Sequence, residues 1–354
     1  MADRHLVRFE PVGIEIEVGE EQTILRAAAE QGLMLMHGCK EGQCAACKSF
    51  VLDGEDIELD KYSTFALPDF EKDEGFTLLC RAHVYEDVTI ELLHYDEDLI
   101  KSGLPLQRAT AEVAAIEEVT HDLRHVTLTL LDPTELRYFP GQYVDVTVSD
   151  HGVTRSFSMA NTPTGRAGTL EFVIKVYPDG HFSSLLAGGG LSVGDRVEVV
   201  GPYGVFTLRE GSDARIVLVG GGAGMAPILA LLRALAERGS DREIVFYYGA
   251  RTTRDLCFED ELHELERTLP RFRYVPALSE PDSAGSAGSA GWDGETGFVT
   301  DVLKRREESL TGAHAYVCGP PPMVEAAMPV LEGLGVEERR IYYDKFTTTG
   351  NAEK

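Results

Sequence analysis

Thiols are scarce in this sequence, and unevenly placed. Six cysteines in 354 residues fall well short of the density of a disulfide-stapled secreted protein. In a reducing compartment, clustered thiols instead bind metal or carry out redox chemistry. Long hydrophobic runs are missing as well, since none approaches the roughly 20 residues needed to cross a bilayer. The N-terminus, MADRHLVRFE, lacks the basic-then-apolar layout of a signal peptide. A cytoplasmic protein without membrane contact is therefore expected. Basic residues are few, 33 against 59 acidic, for a net charge of −26. That balance argues against nucleic acid or an anionic membrane as partner, because both attract positive surface. It serves solubility, or it offers a docking face to a basic protein.

At 354 residues the chain exceeds one ordinary core, so two or three domains are expected. Its 43% hydrophobic and 26% charged residues are those of a globular protein. Segment 1–96 reads as short strands around one helix. VRFEPVGIEIEV alternates apolar and polar residues across a glycine turn, which predicts a hairpin. TILRAAAEQG predicts a helix with Thr23 as N-cap and Gly32 as its stop. With KSFVLDG and VTIELL as later strands, the segment makes a small mixed sheet of β-grasp type. Residues 97–107, in the charged stretch HYDEDLIKSGLPLQ, read as a linker. From 108 to 210, alternating runs such as AEVAAIEEV, LRHVTLTLL, YVDVTV and DRVEVVGPYG predict an antiparallel barrel or sandwich. From 211 to 354 the rhythm changes to buried strands alternating with helices, as a parallel α/β sheet demands. The fold class is thus multidomain, α+β followed by α/β. PDSAGSAGSAG, at 281–291, reads as a flexible surface insertion without chemistry of its own.

The thiols that are present sit where chemistry would want them. HGCKEGQCAACKSF places Cys39, Cys44 and Cys47 in a C-x4-C-x2-C pattern, and Cys80 follows in FTLLCRAHV. This is the plant-type [2Fe–2S] spacing. Two irons need four thiolates; a tight loop supplies three and a neighbouring element the fourth. Gly38, Gly42, Ala45 and Ala46 let backbone N–H groups approach the inorganic sulfurs and tune the potential. A zinc site would more often use paired C-x2-C knuckles. A Rieske centre needs two histidines in place of two cysteines, and no C-x-H occurs. A disulfide is unfavoured in a reducing cytosol. Cys257 and Cys318 stand outside the set.

FPGQYVDVTV followed by RSFS (Arg155, Ser156, Phe157, Ser158) resembles the flavin-binding signature R-x-Y-S of the ferredoxin–NADP⁺ reductase superfamily. Phe157 replaces the usual tyrosine; it keeps the aromatic cover over the isoalloxazine and loses the hydroxyl. GHFSSLL is similar to the family's G-x-x-S-x-x-L. The resemblance places Gly180, His181, Phe182, Ser183 and Ser184 at the FAD pyrophosphate, where a helix N-terminus stabilises an anion. Lys175, in the preceding strand, joins the same expected set. GPYGVF, Gly201 to Phe206, is the third element. Arg155 is expected to neutralise an FAD phosphate.

LVGGGAGMAPIL follows a buried strand and opens a helix. Its consecutive glycines permit close backbone approach, and a helix N-terminus favours a pyrophosphate. It is not a clean G-x-G-x-x-G, but it resembles the superfamily's G-G-x-G-x-x-P turn, implying nucleotide contacts from Gly221, Gly222, Ala223, Gly224, Met225 and Pro227. VCGPPPM resembles the family's C-G-P-x-x-M, so Cys318, with Gly319 and Pro320, is expected beside the nicotinamide. Phe346, in YYDKF, resembles the terminal aromatic that lies near the flavin in relatives. The acidic residue expected at the end of the second strand, to hold a ribose 2′-hydroxyl, is not evident. YYGARTTRDL instead offers Arg251 and Arg254, which suit a 2′-phosphate. The resemblance to bacterial monooxygenase reductases implies NADH.

The segment order resembles the reductase components of soluble di-iron monooxygenases, which include methane, propane, alkene and phenol oxidising systems. It implies a β-grasp ferredoxin, a Greek-key FAD barrel and a five-stranded parallel nicotinamide domain. It also implies an NADH:acceptor reductase using FAD and a [2Fe–2S] cluster. The implied partner is a di-iron hydroxylase, met transiently by the acidic ferredoxin domain of a monomer. The likeness is closer to the short-alkane and propane systems than to the phenol ones. Reductases of phenol hydroxylases and of Rieske aromatic dioxygenases are built of the same parts and stay open. A non-enzymatic iron–sulfur carrier would need neither RSFS nor CGPPPM.

Overall fold

The computed structural model describes residues 3–178, 180–281 and 292–346. The chain divides into two compact units, residues 3–107 with 201–205, and residues 108–200 with 206–346. Most of the Ser/Ala/Gly insertion expected at 281–291 lies outside the described residues.

The first unit opens with β1 (Arg4–Glu10), β2 (Ile14–Gly19) and α1 (Ile24–Glu30). It continues through β3 (Lys48–Asp53), β4 (Ile57–Leu59), α2 (Asp69–Asp73), β5 (Phe76–Leu78), β6 (Ala82–Val84) and β7 (Val88–Leu92). The last element is α3 (Glu97–Lys101). The hairpin forms because every second residue is apolar: Val7, Phe9, Ile16 and Val18 are buried on one face. Gly13 takes the left-handed turn, φ +65°. A five-stranded sheet runs β2-β1-β7-β3-β5, with β1 parallel to β7, and β4 pairs with β6 apart from it. Thr23 caps α1 by accepting from Arg26 N, and Gly32 turns away at φ +78°. The buried face of the helix, Ile24, Leu25, Ala27 and Ala28, packs on Phe9, Leu35, Cys47 and Cys80. Each such large apolar side chain contributes roughly 1.5–3 kcal/mol.

The stretch expected as a linker begins as structure. In α3, Leu99 and Ile100 are buried, and Ile100 O accepts from Met34 N at 3.2 Å. Gly103 passes so close to Gly32 that a Cβ there would lie 2.2 Å from its carbonyl oxygen. Two apolar residues in a charged run sufficed to dock it.

The second unit holds two sheets. The first is built from β8 (Gln107–Glu118), β9 (Leu123–Asp132), β10 (Tyr143–Val148), β11 (Val153–Ser158), β12 (Thr169–Lys175) and β13 (Arg196–Tyr203), with α4 (His181–Gly188) before β13. Its order is β11-β10-β13-β8-β9-β12, and the pairs β10/β11, β8/β9 and β9/β12 are antiparallel. Inward residues Val144, Val146, Val126 and Leu128 form its core.

The second sheet comprises β14 (Ile216–Gly221), β15 (Ile244–Ala250), β16 (Phe272–Leu278), β17 (Glu295–Thr296), β18 (His314–Gly319) and β19 (Ile341–Lys345). Between them lie α5 (Met225–Glu237), α6 (Glu259–Thr268), α7 (Val299–Arg306) and α8 (Pro321–Gly333). The order β17-β16-β15-β14-β18-β19 is parallel in its resolved pairs. Cores cover both faces of β14, which is why it reads as an unbroken apolar run. Five strands were expected; β17, two residues beside Ala277–Leu278, adds a sixth. Two residues are too few to show a period. Strand order reverses at β14, flanked by β15 and β18, and in open α/β sheets that switch point is where ligands bind. Among the described residues, no helix is long and apolar enough to cross a membrane.

Candidate electron-transfer site

The cysteine loop connects α1 to β3. Pairing of Lys48 with Leu78 across β3 and β5 brings the end of the loop beside Cys80, and Leu79 N donates to Cys47 O at 3.2 Å. The four sulfurs form two hydrogen-bonded couples, Cys39 with Cys44 and Cys47 with Cys80. In each couple one thiol is pushed down and its mate up by their mutual contact. Cys39 is lowered to about 5, first by the Cys44 thiol, against the effect of burial, and then by N–H groups of Gln43 and Glu41. Those amides lie 3.3 and 3.4 Å from its sulfur. Cys47 is likewise lowered by Cys80.

Two glycines of the loop have no room for a side chain. A Cβ at Gly38 would meet the Cys44 sulfur at 3.2 Å, and one at Gly42 (φ +67°) would lie 2.7 Å from Tyr62 Cβ. Lys40 and Ala45 accept positive φ, 57° and 60°, which a side chain adopts only when its surroundings impose it. Four convergent sulfurs ringed by amide donors suit the thiolate set of an iron–sulfur cluster. None of the six cysteines is joined in a disulfide. Immediately before the loop, His37 is buried, with Nδ1 2.7 Å from Leu35 O. Sequence reasoning passed it over, because a lone histidine carries no pattern.

Two of the flavin motifs meet in the second unit. β11 pairs with β10 so that Phe157 faces Val144 and Ser156 faces Asp145, whose carboxylate accepts from Ser156 Oγ at 2.6 Å. Phe157 stacks edge-on against Phe182 of α4, centroids 4.7 Å apart. Arg155 is half-buried and donates to Thr154 O. The two hydroxyls of α4 have local partners. Ser183 is buried, accepts from Tyr177 N at 2.9 Å and donates to Lys175 O. Ser184 donates to Gly180 O. Both hydroxyls are occupied in shaping the turn before α4. Gly180 is required there, since a Cβ would lie 2.8 Å from Ser183 Oγ. Lys175 holds Asp122 at 2.6 Å. Burial works to raise the Asp122 carboxyl, but the Lys175 bond outweighs it and leaves it below its ordinary value.

The nicotinamide motifs interlock at the switch point. A Cβ on Gly224 would lie 2.1 Å from Cys318 O, and one on Gly319 (φ +150°) would lie 2.9 Å from Gly221 O. Gly222 takes φ +56° facing open space. Ala223 follows in the same short turn, and Met225 opens α5, with Pro227 buried in its first turn. Pro320 precedes α8. Cys318 is wholly buried, and burial pushes its thiol up. Phe346 packs against the same core cluster, and its N–H donates to Gly319 O at 3.0 Å. Cys257 is pushed up to about 12 by burial and sits 3.3 Å from Tyr248 Oη, away from the cluster set.

An acidic residue that the sequence had not made evident stands beyond β15. Asp255 accepts from Thr252 N and Oγ1, both at 2.9 Å, and lies 3.5 Å from Arg251. Arg251 is thereby already paired. His121, Asp122 and Asp255 bring ligand atoms within 4.8 Å of one another, and Lys175 and Arg251 supply the positive charge there.

Family profiles match three stretches in order. They are a 2Fe-2S iron-sulfur cluster binding domain at residues 7–85, an oxidoreductase FAD-binding domain at 110–208 and an oxidoreductase NAD-binding domain at 218–328. Together they define a flavin reductase of the ferredoxin–NADP⁺ reductase fold with an N-terminal ferredoxin. The reductase component of propane 2-monooxygenase from Rhodococcus jostii is 50% identical over 98% of this chain and 93% of its own length. Its counterpart from Mycolicibacterium goodii is 48% identical over 98% and 99%. A cytochrome P450 reductase from Amycolatopsis superposes with a TM-score of 0.84 at 32% identity, over 97% of this chain and 99% of that one. The chain belongs to the family of monooxygenase reductase components. It is an NADH-dependent oxidoreductase that uses FAD and a [2Fe–2S] cluster.

Proposed function

We propose that this chain is the reductase of a propane-oxidising di-iron monooxygenase, acting as a cytoplasmic monomer that delivers electrons to the hydroxylase component. The observation that carries this is the convergence of four sulfurs in a chain whose other end holds a tight glycine turn at a strand–helix junction, suited to a dinucleotide. Its domains would be residues 1–96, 108–210 and 211–354, joined by 97–107. The mixed sheet of the first unit is read as a β-grasp, and the antiparallel sheet of the second as a Greek-key barrel.

When bound, FAD would take one hydride, an electron pair, from NADH and release the electrons singly, matching a cluster that accepts one at a time. The residues position these groups. Cys39, Cys44, Cys47 and Cys80 hold the irons, and the amides of Glu41 and Gln43 temper the charge on sulfur. Arg155 neutralises an FAD phosphate at the head of α4, and Ser156, Ser158, His181 and Ser184 line that approach. Phe157, braced by Phe182, covers the flavin ring. Gly180 and Ser183, with Lys175, hold the turn that shapes this pocket. The turn from Gly221 to Met225, with Pro227, receives the NADH pyrophosphate at the N-terminus of α5. Cys318, Gly319 and Pro320 set the depth of the nicotinamide, and Phe346 shields the same place when the nucleotide is away. Asp255 engages Arg251, which weakens the pull of that guanidinium on a 2′-phosphate, while Arg254 stays exposed.

The first unit is read as docking through the acidic surface around α2. There Phe65 is 96% exposed and Phe70 63% exposed. Ser63 N, two residues before Phe65, donates to Gly42 O of the cysteine loop at 3.0 Å. The test is anaerobic addition of NADH to the purified protein. Flavin absorbance bleaches and a reduced-cluster EPR signal follows; bleaching without that signal would sink the electron path.

A further inference from the structure

The unit that carries the cysteine loop also takes in Gly201–Val205, the end of β13 and the turn after it. Two residues of the loop grip that turn. His37 is only 7% exposed, and its Nδ1 lies 2.7 Å from Leu35 O, which can only accept. The proton is therefore on Nδ1, and Nε2 is left as an acceptor. Gly204 N–H donates to it at 3.1 Å, across 167 positions of sequence. One residue past Cys39, the Lys40 ammonium sits over the ring of Tyr203, 3.4 Å from its centroid. A cation this close to a ring face is attracted by the ring's negative face. The two grips bracket the first cluster ligand and seize adjacent residues of the turn. Gly204 takes φ +95°, a conformation that favours glycine.

We propose that His37 and Lys40 are positioning residues for electron transfer, clamping the cysteine loop to the Tyr203–Gly204 turn so that the cluster is held at a fixed place on the electron path. This rests on the reductase function above, because GPYG is the third of the flavin motifs. The step served takes one electron at a time from reduced FAD and turns one ferric ion of the cluster ferrous. NADH supplies the pair as hydride, and the proton left behind passes to solvent. Electron transfer slows as donor and acceptor move apart, so the clamp has leverage without touching the reacting atoms.

The test compares His37→Leu, His37→Gln and Lys40→Met in the full-length holoprotein. Leucine fills the space without accepting, whereas glutamine offers an oxygen to Gly204 and an amide N–H to Leu35. Amide hydrogen exchange of the peptide spanning 201–205 should quicken in His37→Leu and return toward wild type in His37→Gln. In stopped flow with NADH, flavin bleaching should keep its rate in all variants. Cluster reduction should slow by about tenfold in His37→Leu, less in Lys40→Met, and recover in His37→Gln. Faster exchange with unchanged cluster reduction would make the contact structural only and overturn the proposal. Unchanged exchange would overturn it as well, as would loss of iron from both His37→Leu and Lys40→Met. Failure of wild type to reduce its cluster would instead strike the function itself.

Discussion

Gly224 has no room for a side chain. The Cβ of an alanine there would sit 2.1 Å from the carbonyl oxygen of Cys318, a backbone atom that cannot swing aside. Gly224→Ala should therefore destabilise the protein by about 1–3 kcal/mol and raise the KM for NADH, read by thermal melting and steady-state kinetics. Cys44→Ser works through different chemistry. A hydroxyl does not replace the thiolate, so iron content should fall to near zero. NADH-to-ferricyanide activity should persist at close to the wild-type rate, and loss of both would mean that cluster and flavin halves fail together. At this scale the sequence was uneven as a guide. The four cluster cysteines and the glycine turns announce themselves, because spacing and small size are visible in one dimension. Asp255 was missed, since it lies five positions beyond the end of β15 and becomes relevant only when Thr252 and Arg251 fold around its carboxylate. Ser183 and Ser184 matched a motif, yet their hydroxyls are spent on the local turn. His37 acquired a partner only through folding.

Between elements, one arginine joins the two sheets of the second unit. Arg233 on α5 makes a two-pronged pair with Glu261 of α6, bonds Glu171 of β12 at 2.9 Å and donates to Ala160 O. Arg233→Met strands a largely buried Glu171 carboxylate and should cost about 3–5 kcal/mol, measured by urea unfolding. The same carboxylate also meets His125 at 3.3 Å. Glu171 is drawn down to about 2, first by His125 and then by Arg233, against an ordinary 4.5. Its contribution is present above 4.5 and fades as pH falls toward 2. His125 is raised above 6.5, first by Glu171, so its contribution is full below 6.5 and fades as pH climbs through the raised value. The melting-temperature gap between wild type and Glu171→Gln should thus be widest near about pH 5.5 and narrow on both sides. Long elements were legible in the sequence for an identifiable reason: β14 and α5 carry a full apolar run and a full amphipathic period. The helix α3 and the strand β17 span five and two residues, too short for any period to register.

For the molecule as a whole, a net charge of −26 makes every encounter sensitive to salt. Exposed charges are screened within about 8–10 Å at physiological ionic strength. If the acidic surface steers docking, raising salt from about 0.05 to 0.5 M should slow electron delivery to a propane monooxygenase hydroxylase by about tenfold or more. Ferricyanide reduction, which needs no docking, serves as the internal control; equal sensitivity of the two would exclude steering. Partition of the chain has a further consequence. The cysteine-bearing unit borrows five residues, Gly201–Val205, from far downstream. A gene cut after codon 107 would express that unit with a gap where the borrowed piece belongs. Swapping ferredoxin modules between such reductases is consequently a two-site graft, in which the donor's downstream pentapeptide has to travel with its cysteine loop.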